Sequence, residues 1–381
     1  MKKKFCFIII IIIIIFNINI SYSEDNILKE QQEEFNINTF IKNAEKYEGE
    51  FFEDINLNEI LKSAIEGKID NSTLFNKILK LLGKEISENI KAIISILVII
   101  ILHSILKSIS ESLENESISK IVYYVQYILI VTIIMTNFTD IIKLTQDTTN
   151  NLIGFMNLLV PLLITLMLYT GNLTTSSIIE PIIIFIINFI GNIIQSLVIP
   201  TVLIFTSLII ISKISDKVKI DNLSNFLKSS IIWFLGITMT IFVGVISLEG
   251  TLSSSVDGIS AKTTKAIVSS TVPIVGKILG DAADTVLGCG LILKNALGIV
   301  GVIIVIGICI MPIIKLSILT ISYKLLSTII QPITDKKITE LLDQIGDVFK
   351  IFLAILSSVA FMLIIGLTMV LKMSNSSMMY R

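Results

Sequence analysis

The chain is poor in the residues that chemistry usually needs. Its 381 residues include three cysteines and one histidine. Cys6 lies in the extreme N-terminal run, while Cys289 and Cys309 stand alone in apolar surroundings, so no disulfide framework can be drawn. One imidazole, His103, is too few for a histidine metal cluster, and no Ser-His-Asp relay is apparent around it. Charge is scarce too. Asp, Glu, Lys and Arg make up 16% of the chain, where soluble proteins carry about 25%. No Walker A loop, Gly-x-Ser-x-Gly elbow or His-Glu-x-x-His pair is present, so an enzyme is not expected, nor a cofactor or a metal. With 53% hydrophobic residues, the composition excludes a soluble globular protein and points to a polytopic helical membrane protein.

What charge there is falls unevenly. Residues 24–88 hold 15 acidic residues against 8 lysines, a local balance of -7, although the whole chain nets -1. Ahead of this stretch, Lys2, Lys3 and Lys4 precede an apolar run over residues 5–16, shorter than the ~20 residues a span needs. Ser21 and Ser23 then supply small residues at alternate positions, the order of a secretory signal with cleavage expected after Ser23. Residues 24–88 are expected to form a small acidic extracytoplasmic domain. Leu57, Ile60, Leu61, Ala64 and Ile65 recur at helical spacing, as do Leu74, Ile78, Leu81 and Leu82 after a cap at Ser72. A negative balance with no basic and aromatic interleaving speaks against nucleic acid.

Eight apolar runs follow, near residues 92–109, 121–139, 152–170, 182–197, 198–211, 229–248, 296–311 and 348–371. The fourth and fifth share one stretch with Pro200 inside it, which fits a tight helical hairpin or one kinked helix. The boundaries read as about six spans in residues 89–249, a glycine-rich region with spans in 250–331, and a cytoplasmic loop, last span and short tail in 332–381. Lys213, Lys217, Lys219 and Lys228 form the strongest basic cluster between spans, and alternate crossing from an outside N-terminus puts that loop in the cytoplasm, as the positive-inside rule requires.

Residues 250–331 differ from ordinary spans because glycines and isolated charges interrupt the apolar sequence. Such a stretch is expected to lie on, or fold partly into, a membrane. Gly276 and Gly280 stand four apart on one helical face, a weak signal of close helix approach. Asp281, Asp284, Lys294, Lys315 and Lys324 are costly in apolar surroundings, at ~2.5 to 3.5 kcal/mol each near a helix centre, so each is a candidate packing or pore position. Asp284 leads toward Lys294 across what reads as a glycine-rich turn, which would permit an ion pair. Snorkelling of each long lysine is the plainer account. His103 reads as a packed or interfacial residue.

The stretch Val256-Asp257-Gly258, then Val272-Pro273-Ile274-Val275-Gly276-Lys277, Asp281-Ala282-Ala283-Asp284-Thr285-Val286 and Leu291-Ile292-Leu293-Lys294-Asn295 resembles the stage III sporulation protein AE family of endospore-forming Firmicutes. Pro312 with Lys315, Tyr323-Lys324 and Gln331-Pro332 extend the match. The resemblance implies a non-enzymatic subunit of a channel-like complex joining mother cell and forespore, in the mother-cell-derived membrane around the forespore and required for late gene expression by sigma G. Its implied partners are the other membrane proteins of the stage III A operon, an operon-encoded ATPase and a forespore-side channel protein. The family supplies no catalytic residues to carry over. A different class of reading is an autonomous secondary transporter, with broken helices near Pro200 and near residues 276–290.

Overall fold

The computed structural model describes residues 24–47, 49–53, 55–68, 71–112, 116–214, 221–271 and 275–376, with the side chains of residues 24–26, 50, 71–75, 107, 110–112, 116–119, 221, 249–284 and 373–376 outside that description. Every regular element among the described residues is helical. Three short helices come first: α1 (Glu24–Glu34), α2 (Ile37–Ala44) and α3 (Leu57–Ile65), with single 3-10 turns at Glu45–Tyr47 and Glu50–Phe52. Long helices follow: α4 (Asn71–Ser112), α5 (Glu116–Tyr169), α6 (Leu173–Ile193), α7 (Ile199–Ile214), α8 (Asp221–Thr271), α9 (Val275–Ile330) and α10 (Lys336–Ser376).

Among the described residues, six stretches are long and apolar enough to cross a membrane: Asn76–Leu106, Lys120–Tyr169, Leu173–Ile214, Asn222–Leu248, Thr285–Ile330 and Lys336–Lys372. Length and composition make this a multi-pass membrane protein. The eight apolar runs merge into six such stretches because residues 140–151 do not break the chain and because the fourth and fifth runs form one continuous helix, one of the two arrangements that fit Pro200. Residues 140–151 read as a polar loop along the chain, yet they continue α5 as one helix of 54 residues. Around Pro200 the chain also continues. A proline ring crowds the carbonyl four residues earlier, and the π-helical turn Ile194–Val198 widens the backbone there, carrying α6 into α7.

The glycine-rich turn expected between Asp284 and Lys294 is absent as well. α8 runs on to Thr271, and α9 is continuous from Val275 for 56 residues, so no glycine-rich turn separates Asp284 from Lys294. Ten residues of helix put the backbones of Asp284 and Lys294 about 15 Å apart along the axis. The transporter reading loses both of its broken helices by these two continuities.

α9 and α10 form the centre of the bundle and α4 and α8 its rim. α5 and α6 make a hairpin closed by Gly171, whose φ of 87° suits only glycine without strain. Glycines also set several close approaches along α9. Gly301 lies under Leu159, Gly298 under Leu371 and Gly290 against Tyr169, each too tight for a larger residue without rearrangement.

The N-terminal segment packs on the bundle rather than standing apart from it. In α3, Leu57, Leu61 and Ala64 are the buried face and Asn56 caps the helix by accepting from the Asn58 N–H. Phe52 presses on Gly307 of α9, and Tyr47 and Phe40 both meet Phe155 of α5 at 6.3 Å between ring centroids. The Gln31 side-chain amide donates to the Val286 carbonyl at 3.0 Å and to the Tyr169 hydroxyl at 3.3 Å.

Candidate functional site

The first turns of α10 carry Glu340, Asp343 and Asp347 at i, i+3 and i+7, which places three carboxylates along one side of the helix. Lysines from three other helices converge on them. Lys213, at the end of α7, is buried and donates to Glu340 at 2.8 Å. Lys228 of α8 reaches Asp347 Oδ2 at 2.6 Å. Lys324 of α9 bridges two acids, meeting Asp343 Oδ1 at 2.9 Å and Asp347 Oδ1 at 2.8 Å. At the same end, buried His103 of α4 lies 3.3 Å from Asp335, and Lys337 stands 5.7 Å above the Tyr123 ring.

Charges among apolar helices are tolerated when each finds an opposite charge and hydrogen bonds. Here Asp347 accepts from two lysines through different oxygens, so one carboxylate ties α8 and α9 to α10. Asn137 adds a neutral tie, donating to the Tyr323 hydroxyl at 3.0 Å, and the Tyr323 ring meets Phe349 edge to face. The result is a polar clamp across five helices of one end of the bundle. Such a clamp fixes register and holds neutralised charge. Its groups face one another, which suits mechanical coupling between helices rather than attack on a substrate.

Lys294 lies about a third of the way along α9, far from the clamp. It is fully buried, and its amine donates to the Leu371 carbonyl at 3.3 Å near the end of α10. Thirty residues separate Lys294 from Lys324, about 45 Å of helix, so the two belong to different places in the fold. Lys315 lies between them and is half-buried. Gly276, Gly280, Asp281 and Asp284 are helical in backbone, but their side chains fall outside the described residues. The described candidates, Lys294, Lys315 and Lys324, are therefore spread along one helix.

Sequence reasoning singled out Lys294 and Lys324 but passed over Glu340, Asp343 and Asp347, and it read Lys213 and Lys228 as loop charges. One signal was available: three acids at helical spacing, interleaved with Leu341, Leu342, Ile345 and Val348, all of which are buried. An acidic stripe beside an apolar stripe on a membrane helix calls for cationic partners.

A family model described as stage III sporulation protein AE (spore_III_AE) matches residues 55–374, which covers all six apolar helices and the clamp. The chain belongs to the stage III sporulation protein AE family. It is also 28% identical over 268 residues to the stage III sporulation protein AE of Bacillus subtilis (strain 168), covering 70% of this chain and 67% of that one. No solved structure matches. The family carries the name of a stage of sporulation and not of a reaction, and nothing in the clamp asks for one.

Proposed function

We propose that this chain is a non-enzymatic membrane subunit of a channel-like assembly joining mother cell and forespore during sporulation. It works in the mother-cell-derived membrane around the forespore, beside the other membrane proteins of its operon, an ATPase and a forespore-side channel partner. Its N-terminal signal is removed after Ser23, so that the segment bearing α1 to α3 lies outside the cytoplasm. Late forespore transcription by sigma G depends on it. The observation that carries this reading is the family match over residues 55–374, which takes in the whole apolar bundle. The bundle supports it further. The charges of the clamp are neutralised between helices, as a structural subunit requires, whereas a secondary transporter would build its site from interrupted helices that α6 to α7 and α9 do not supply.

Deleting the gene and counting heat-resistant spores, alongside a sigma G reporter, tests the proposal. A block after engulfment with normal vegetative growth is expected. Normal sporulation together with a growth defect would overturn it in favour of transport.

A further inference from the structure

The bundle is amphipathic across its width. On α5, Asp140, Lys143, Asp147, Asn150 and Asn157 recur at intervals of three, four, three and seven residues, which keeps them on one side of the helix, and all are exposed. From Asp140 to Asn157 the rise is about 26 Å, close to the ~30 Å of a hydrocarbon core. α6 continues this polar face. Asn157 and Asn188 exchange amide hydrogen bonds at 3.2 and 3.1 Å, the Gln195 amide donates to Asn150 at 2.5 Å, and Asn192 is exposed beside them. Asp140, Lys143 and Asp147 make no ion pair among the described residues.

An adjoining edge of α6, turned toward α8, is of another character at the level of Asn157 and Asn150. Ile182, Phe185 and Phe189 line an open groove of about 660 Å³ with Phe234, Ile237 and Ile241 of α8. A region lying wholly outside a membrane would be polar on both flanks, and one wholly surrounded by lipid would be apolar on both. A polar edge toward α5 beside an apolar edge toward α8, at one level of one helix, supports a boundary along α6 with lipid on the groove side and water on the asparagine side. Three charges without ion-pair partners also favour water over a dry helix contact, since an uncompensated charge in a dry interface is costly.

We propose that the shared polar face of α5 and α6 is one wall of a hydrated passage for hydrophilic solutes, completed by other chains of the assembly. This rests on the multi-subunit reading above and names the surface of this chain that meets the passage.

Single cysteines at Lys143, Asn150 and Asn157, and at Phe185 and Ile241 in the groove, would be placed in the full chain carrying Cys6→Ser. Cys289 and Cys309 are buried and supply a silent background. Membranes from sporulating cells are then treated with a charged, membrane-impermeant methanethiosulfonate, with immunoblots to confirm that each variant is present. All three polar-face positions are exposed, so at least one variant accumulates. Labelling at least tenfold faster on the polar face than in the groove is expected. Equal rates on both flanks, no labelling of the polar face, or disulfide formation there between two copies without labelling would each overturn the proposal. Labelling reports water at this face whether or not spores form, so its outcome is separate from that of the deletion.

Discussion

The aliphatic stem of Lys324 lies across Gly346: a Cβ on Gly346 would stand 3.0 Å from the Lys324 Cγ and 3.3 Å from its Cδ and Cε. The missing side chain lets the lysine cross α10 to reach Asp343 and Asp347, one turn apart on either side of the glycine.

This contact makes a coupled pair. Alanine favours a helix over glycine by about 1 kcal/mol, but here it also crowds the lysine stem, and overpacking costs about 1 to 3 kcal/mol. Gly346→Ala should therefore be neutral or destabilising in the natural chain and stabilising by about 1 kcal/mol in a Lys324→Ala background. Melting midpoints of the four purified proteins in detergent give the coupling. Additive effects would mean that the stem moves aside freely.

The clamp should depend on Asp347 far more than on its rim. Asp347→Asn leaves Lys228 and Lys324 facing an uncharged amide, and breaking a buried pair costs about 3 to 5 kcal/mol. A fifth of the Asp347 side chain is exposed, 19%, which favours the lower end of that range. Lys336→Ala removes a contact of 3.7 Å from a side chain that is 89% exposed, and it should change stability by less than about 0.5 kcal/mol. Comparable melting shifts in the two variants would show that the clamp does not hold the bundle.

Docking of the N-terminal segment turns on Phe52. Its ring fills the space left by Gly307, so Phe52→Ala should cost about 3 to 5 kcal/mol of docking and packing. Gly307→Leu should expel the ring with the same outcome. Limited proteolysis of membranes reads this directly: residues 24–65 should resist cleavage in the natural chain and be cut in both variants. Equal protection in all three would show that other contacts, such as Gln31 with Val286, suffice to hold the segment.

Apolar runs were legible in the sequence because hydropathy along the chain reports them directly. Helix continuity was not. Residues 140–151 look like a loop when charge is counted residue by residue, but Thr145, Thr148 and Thr149 turn inward and bond to carbonyls of their own helix while Asp140, Lys143 and Asp147 turn outward. Pro200 was a fair sign of a break, and the π turn before it is a backbone response that composition does not encode. The clamp was half-visible. Lys324 drew notice as a charge in apolar sequence, but its partners lie 19 and 23 residues away across a turn, and Lys228 meets Asp347 over 119 residues. Pairings of that range follow from how helices assemble, which no local pattern carries.

Lys294 separates a structural role from a functional one. A fully buried lysine near a helix interior costs about 2.5 to 3.5 kcal/mol, and replacing a buried charge with an apolar residue of similar length is often neutral or stabilising. If its contact with the Leu371 carbonyl were all that kept it, Lys294→Met would leave both protein level and sporulation unchanged. The cost of retaining the charge, together with its distance along α9 from the neutralising carboxylates of the clamp, favours a role for the charge itself. Lys294→Met is therefore expected to accumulate in membranes at the natural level and to lower heat-resistant spore counts at least tenfold, with Lys294→Arg retaining more function than Lys294→Gln. Immunoblots of membrane fractions must accompany the spore counts, because a lost fold would remove the protein and a lost function would not. Full sporulation of Lys294→Met would show that Lys294 serves packing alone.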